Sequence, residues 1–175
     1  MGVFTSTAVA RCRPTDVFEA LRDSGGHGSS SNGAGGTKGS GKSSGPVSHP
    51  LVPVPIEVHT RKGGGLRRGT AALVIASVAG HSLEFDVEIL AANIRGLRIE
   101  ASGPFDVELA ATFRLIERTA TEITGRMVTS GRPRSIPDRL VMHAGEGLLH
   151  GGALDLATHQ LVSRAEARAQ QRNRA

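Results

Sequence analysis

Two stretches alternate between apolar and polar residues, and that alternation constrains the fold more than any other feature of the chain. In LEFDVEIL, residues 83–90, Leu83, Phe85, Val87 and Ile89 share one face, while Glu84, Asp86 and Glu88 share the other. In FDVELAATFRLIE, residues 105–117, Phe105, Val107, Leu109, Ala111, Phe113 and Leu115 point one way. Side chains alternate across a strand with period two, so both stretches are strands with one buried and one wetted face. Such strands belong to an antiparallel sheet. Its apolar face needs a cover from another layer.

Five shorter stretches read as strands: VFTSTAVA at 3–10, IEVHT at 56–60, TAALVIASV at 70–78, LRIEA at 97–101 and EITGRMV at 122–128. RKGGGLRRG is a turn in which Gly63, Gly64 and Gly65 are free to take positive φ. After the first strand, Thr15 or Asp16 caps a helix carrying Val17, Phe18, Ala20 and Leu21, and the fixed φ of Pro14 suits its entry. Beyond Pro137 the period becomes helical and stays so to the region of Ala169, as one long helix or as two with a break at Gly151–Gly152. Gly145, Gly147, Gly151 and Gly152 each cost about 1 kcal/mol relative to Ala in a helix. Close approach to the sheet, room for a ligand, or a plain kink would account for them.

The segment from Ser24 to Pro50 differs from the rest. Nine of its residues are Gly, eight are Ser, and none is Leu, Ile, Phe or Met. Too little apolar surface is available to offset ordering entropy, so 24–50 is expected to be a flexible loop. Within it, GTKGSGKS fits the P-loop pattern at Gly36, Gly41, Lys42 and Ser43. A working P-loop lies between a buried strand and a helix, whose N-terminus meets the phosphate. Here GGHGSSSNGAG precedes it and SGPVSHP follows, so no nucleotide is expected at Gly36–Ser43.

Composition narrows the function classes. The chain has five Phe and no Tyr or Trp, so its core is built from Leu, Val, Ile and Ala. A net charge of +5 without stacking aromatics speaks against nucleic acid as a partner. Cys12 is the single cysteine, which points to a reducing, cytoplasmic setting. No signal peptide is visible at the N-terminus. The longest apolar run, AALVIASVAG, falls short of the ~20 residues that span a bilayer.

The first strand with RPTDVFEALRD, the turn GGGLRRGT, the stretch SGPFDVELAATFRLIERTATEITGRMVTSG and the helix PDRLVMHAGEGLL together resemble the START-like (SRPBCC) superfamily. Its members include polyketide cyclases/dehydrases and lipid-transfer domains. The resemblance implies an α+β helix-grip fold: a curved antiparallel sheet of about seven strands wrapped around a long C-terminal helix. A single domain over 1–175 follows, interrupted at 24–50 and with a disordered tail at 171–175. The family's usual second short helix and aromatic segment have no counterpart here, where the Gly/Ser-rich stretch stands. The implied ligand is a hydrophobic small molecule between sheet and helix. On that side alternation places Phe85, Val87, Leu97, Ile99, Leu109, Phe113 and Met127, as ligand contacts or as core. The superfamily has no shared catalytic residue to carry over.

Few constellations suggest chemistry. His143, Glu146 and His150 share a helical face, but Arg164 and Arg168 fall on the same stripe of a continuous helix, so a solvated face is expected and no metal. His59 or His81 would serve as a general base if placed at a cavity rim, though a surface histidine is the commoner case. Arg11 and Arg13 beside Cys12 would lower its pKa, though an inert thiol is the commoner case. No cofactor is indicated. Three functions remain: a carrier of a hydrophobic molecule, a polyketide cyclase/dehydrase-type enzyme, or an interaction module with a filled core and a basic tail (Arg164, Arg168, Arg172, Arg174).

Overall fold

The computed structural model describes residues 1–24, 56–78, 81–131, 133 and 135–174. The Gly/Ser-rich stretch beyond Ser24 and the P-loop-like match within it lie outside the described residues. The elements run β1 (Gly2–Ala10), α1 (Pro14–Ser24), β2 (Ile56–Lys62), β3 (Ala71–Val78), β4 (His81–Asn93), β5 (Gly96–Ser102), β6 (Asp106–Glu117), β7 (Ala120–Ser130), α2 (Ile136–His150) and α3 (Ala153–Arg174). The seven strands form one sheet in the order β1-β7-β6-β5-β4-β3-β2. Every neighbouring pair is antiparallel. Register shifts between Ile89 and Ala91 and between Leu115 and Glu117 let the sheet curve. At the β4–β5 turn Gly96 is required by space, since a Cβ there would stand 2.1 Å from the Ala111 carbonyl oxygen.

Alternation decides which face meets the helices. Phe4, Ser6 and Ala10 of β1 and Thr121, Ile123 and Gly125 of β7 are buried on one face, called inner here. Helix α3 lies across β1 and β7 and against α1. Its buried residues Thr158, Ala165 and Ala169 recur near helical spacing, and the small alanines allow close approach. Ala165 and Ala169, together with Ala10, Cys12, Val17, Ala20, Phe113 and Ile123, form the main core cluster.

Helix α1 starts with Pro14, and its first turn is closed by Asp16, whose side chain accepts from the Arg13 amide at 3.1 Å. This is half of a capping box, reaching back from the third helical position. At the other end of the chain, the full box is present: Ser135 and Asp138 cap each other's backbone amides.

The C-terminal helix is broken, not continuous. Gly152 has φ +91, a value that side-chain-bearing residues rarely adopt, and it separates α2 from α3. A Cβ at Gly145 or Gly147 would meet nothing within 4 Å, so close approach to the sheet does not explain those glycines. The expected tail also differs: residues 171–174 continue α3 to Arg174. An ion pair from Arg172 to the buried Asp16 holds that last turn against α1.

Candidate functional site

Register places all seven predicted residues on the inner face. Met127 pairs with Leu109, Leu109 with Ile99 and Ile99 with Ile89, which forms one apolar row across four strands. Phe113 lies opposite Ile123, Leu97 opposite Ala111, and Phe85 opposite Val74. Their surroundings differ. Phe113, 5% exposed, is part of the core under α1 and α3, and Leu97, 7% exposed, is buried too. Phe85, Val87, Ile99, Leu109 and Met127 are only half-buried. Helix packing is concentrated on β1 and β7, so the inner face of β2–β5 has no closely packed helix among the described residues.

A polar group stands at one edge of this surface. The Gly2 amide donates to Thr129 Oγ1 at 3.1 Å, and Thr129 Oγ1 donates to Glu146 Oε1 at 3.0 Å. Thr129 is buried at the end of β7, and the Glu146 side chain on α2 is 20% exposed. The second carboxylate oxygen of Glu146 lies 3.8 Å from His143 Nδ1. One turn on, the His150 ring meets Phe4 edge-on, with centroids 4.9 Å apart. Glu146 and His150 therefore point α2 down onto β7 and β1. Ser6, buried on the same face opposite Gly125, has a hydroxyl with no hydrogen-bond partner among the described residues.

Three constellations read from the sequence are resolved here. The stripe joining His143 and Glu146 to Arg164 and Arg168 does not exist, because the helix breaks between them; Arg168 pairs with Glu19 at 2.7 Å and with Asp23. His59 lies on the outer face beside Glu57, 3.6 Å away, and not at the rim of the inner face. The His81 side chain lies outside the described residues. Cys12 is not activated: burial first, then the Asp16 and Glu166 carboxylates, raise its thiol from 9.0 to about 11, with Arg172 opposing. Arg11 and Arg13 themselves are exposed.

The outer face is charged. Arg114 pairs with Glu122 at 2.8 Å, and Arg98 reaches Glu100 and Glu108 at 3.4 Å each. A surface depression of about 310 Å³ is lined by Arg61, Ala71, Asp86, Glu88, Glu100 and Ser102, with Ala72 and Val87. A second, of about 360 Å³, lies on α3 at His159, Gln160, Ser163 and Arg164. Among the described residues no group of three or more His, Cys, Asp or Glu is placed to hold a metal ion, and no helix is long and apolar enough to cross a membrane.

Thr129 and its hold on Glu146 were missed in the sequence. Thr129 continues the inward alternation of β7 by one step, which was the available signal, but nothing local says that α2 passes over it.

No family model matches the chain, and no curated protein matches its sequence. Solved structures do. The ZhuI aromatase/cyclase from Streptomyces sp. R1128 is similar over 95% of this chain and 94% of its own, with TM-score 0.56 and 14% identity. A norcoclaurine synthase from Thalictrum flavum is similar over 94% and 93%, with TM-score 0.57 and 10% identity. Ara h 8.0201 is similar over 97% and 98%, with TM-score 0.53 and 13% identity. The chain shares the fold of these structures, a curved seven-stranded antiparallel sheet gripping a C-terminal helix.

Proposed function

We propose that this protein binds and carries a hydrophobic small molecule, lipid- or polyketide-like, on the inner face of its sheet beside the C-terminal helices. One observation carries the reading. The inner face is continuous and apolar, yet only its β1–β7 side is closely covered by described helices, leaving Val87, Ile99 and Leu109 half-buried. Apolar side chains left in water gain about 25 cal/mol per Å² when a ligand covers them. Phe85, Val87, Ile99, Leu109 and Met127 are the contacts; Leu97 and Phe113 support them from the core. A single buried thiol suits a cytoplasmic place.

A second reading, a cyclase/dehydrase-type enzyme, is favoured by Glu146, a carboxylate brought onto the inner face. Two of the structural neighbours are an aromatase/cyclase and a synthase, which supports the fold's capacity for such chemistry.

Native mass spectrometry of the purified protein, followed by solvent extraction, tests the proposal. A co-purifying lipid-like or polycyclic mass that leaves on denaturation is expected. A bare protein mass, together with no uptake of an environment-sensitive apolar dye, overturns it.

A further inference from the structure

One row of paired residues crosses the inner face from the carboxylate to the far side of the sheet. Thr129 pairs with Val107, Val107 with Ala101, Ala101 with Val87, Val87 with Ala72, and Ala72 with Thr60. None of the six is charged, and two are alanine. The rows beside it are taller. On one side stand Leu109 and Ile99. On the other, Phe85 meets Phe105 edge-on at 5.2 Å, and Val74 continues the ridge. A low row between two high ones is a trough. Strands lie ~4.8 Å apart, so Thr129 to Val87 spans about 14 Å, the scale of an extended aliphatic chain.

The trough has one charged end. The Gly2 amide fixes the lone pair of Thr129 Oγ1, which turns the hydroxyl proton toward Glu146 Oε1. That bond holds the carboxylate over the row's first residue. Among the described residues Oε2 has only the largely exposed His143, at 3.8 Å, beyond hydrogen-bond length. It keeps acceptor capacity for a group arriving along the trough.

We propose that the trough takes an apolar molecule with a protonated amine at one end, seated with the amine on Glu146 and the chain over Val107, Ala101 and Val87. The proposal rests on the hydrophobic-ligand reading above and adds the headgroup. Charge complementarity decides between headgroups. An amine forms a charge-assisted hydrogen bond with Glu146, whereas a carboxylate-headed chain of equal length meets a like charge. The chain's net charge of +5 would by itself favour the acid, so a preference for the amine is local in origin.

Displacement of a bound apolar dye by dodecylamine and by dodecanoate, each below its aggregation concentration at pH 7, tests this in the wild-type chain, Glu146→Gln and Ala101→Leu. Dodecylamine should displace dye at about tenfold lower concentration than dodecanoate, equivalent to about 1.4 kcal/mol. Glu146→Gln should abolish that margin. Ala101→Leu, which raises the trough floor, should weaken both probes. A margin that persists in Glu146→Gln, a wild-type preference for dodecanoate, or probes indifferent to Ala101→Leu overturns the headgroup assignment alone. A wild-type chain that takes up neither dye nor probe overturns the underlying reading.

Discussion

At the corner under α1 and α3, Ala10 and Ile123 are 0% and 1% exposed; a few strands away on the same inner face, Val87 and Ile99 remain half-buried. Both regions come from the same alternating pattern, and a strand does not encode which of its inward residues will be covered. The cover decides. Helix α3 brings Ala165 and Ala169 to the sheet, small enough for close approach, and its basic residues anchor it to α1 through Arg168 with Glu19 and Arg172 with Asp16. The helices grip one side of the sheet firmly. Beyond their reach the apolar surface has no closely packed helix among the described residues, and stability is concentrated where the helices are.

That contrast gives its largest prediction in stability. Ile123→Ala leaves a cavity in a closed core and should cost about 3 kcal/mol. Ile99→Ala removes the same atoms from a half-open surface and should cost about 1 kcal/mol or less. Chemical denaturation of both variants measures the difference; equal costs would mean that the inner face is core throughout.

A smaller effect follows from Cys12, at the corner. Its thiol is raised from 9.0 to about 11 in the folded chain. Below pH 9 the thiol is protonated both folded and unfolded and contributes no slope. Between about 9 and 11 the unfolded chain loses the proton and the folded chain keeps it, so this group makes stability fall as pH rises. Equilibrium unfolding at pH 8 and 10.5 should show that fall, and Cys12→Ser should flatten it. An unchanged slope in the variant would mean that the corner is more open than its burial implies.

The strands were legible because alternation is a local property. Seven were expected and seven are present, with boundaries off by a few residues where β4 runs on past its bulge to Asn93. Parity also placed Phe85, Val87, Leu97, Ile99, Leu109, Phe113 and Met127 on one face. The helix break was readable as an option from the Gly151–Gly152 pair. What stayed hidden was tertiary. Arg168 and Arg172 of α3 look like part of a free basic tail until α1 presents Asp16, Glu19 and Asp23 to them. Cys12 looks activated by its neighbours in sequence, whereas its neighbours in space are Asp16 and Glu166. His59 is a surface histidine, the commoner expectation, and the parity of Glu57, His59 and Arg61 places it outward.

The most direct measurement is a methyl NMR titration with an environment-sensitive apolar dye. The account predicts that methyl signals of Val87, Ile99 and Leu109 shift on binding while those of Val17 and Ile123 do not. Shifts confined to the corner methyls, or no saturable shift at any of the five, would contradict the claim that the uncovered inner face is the binding surface.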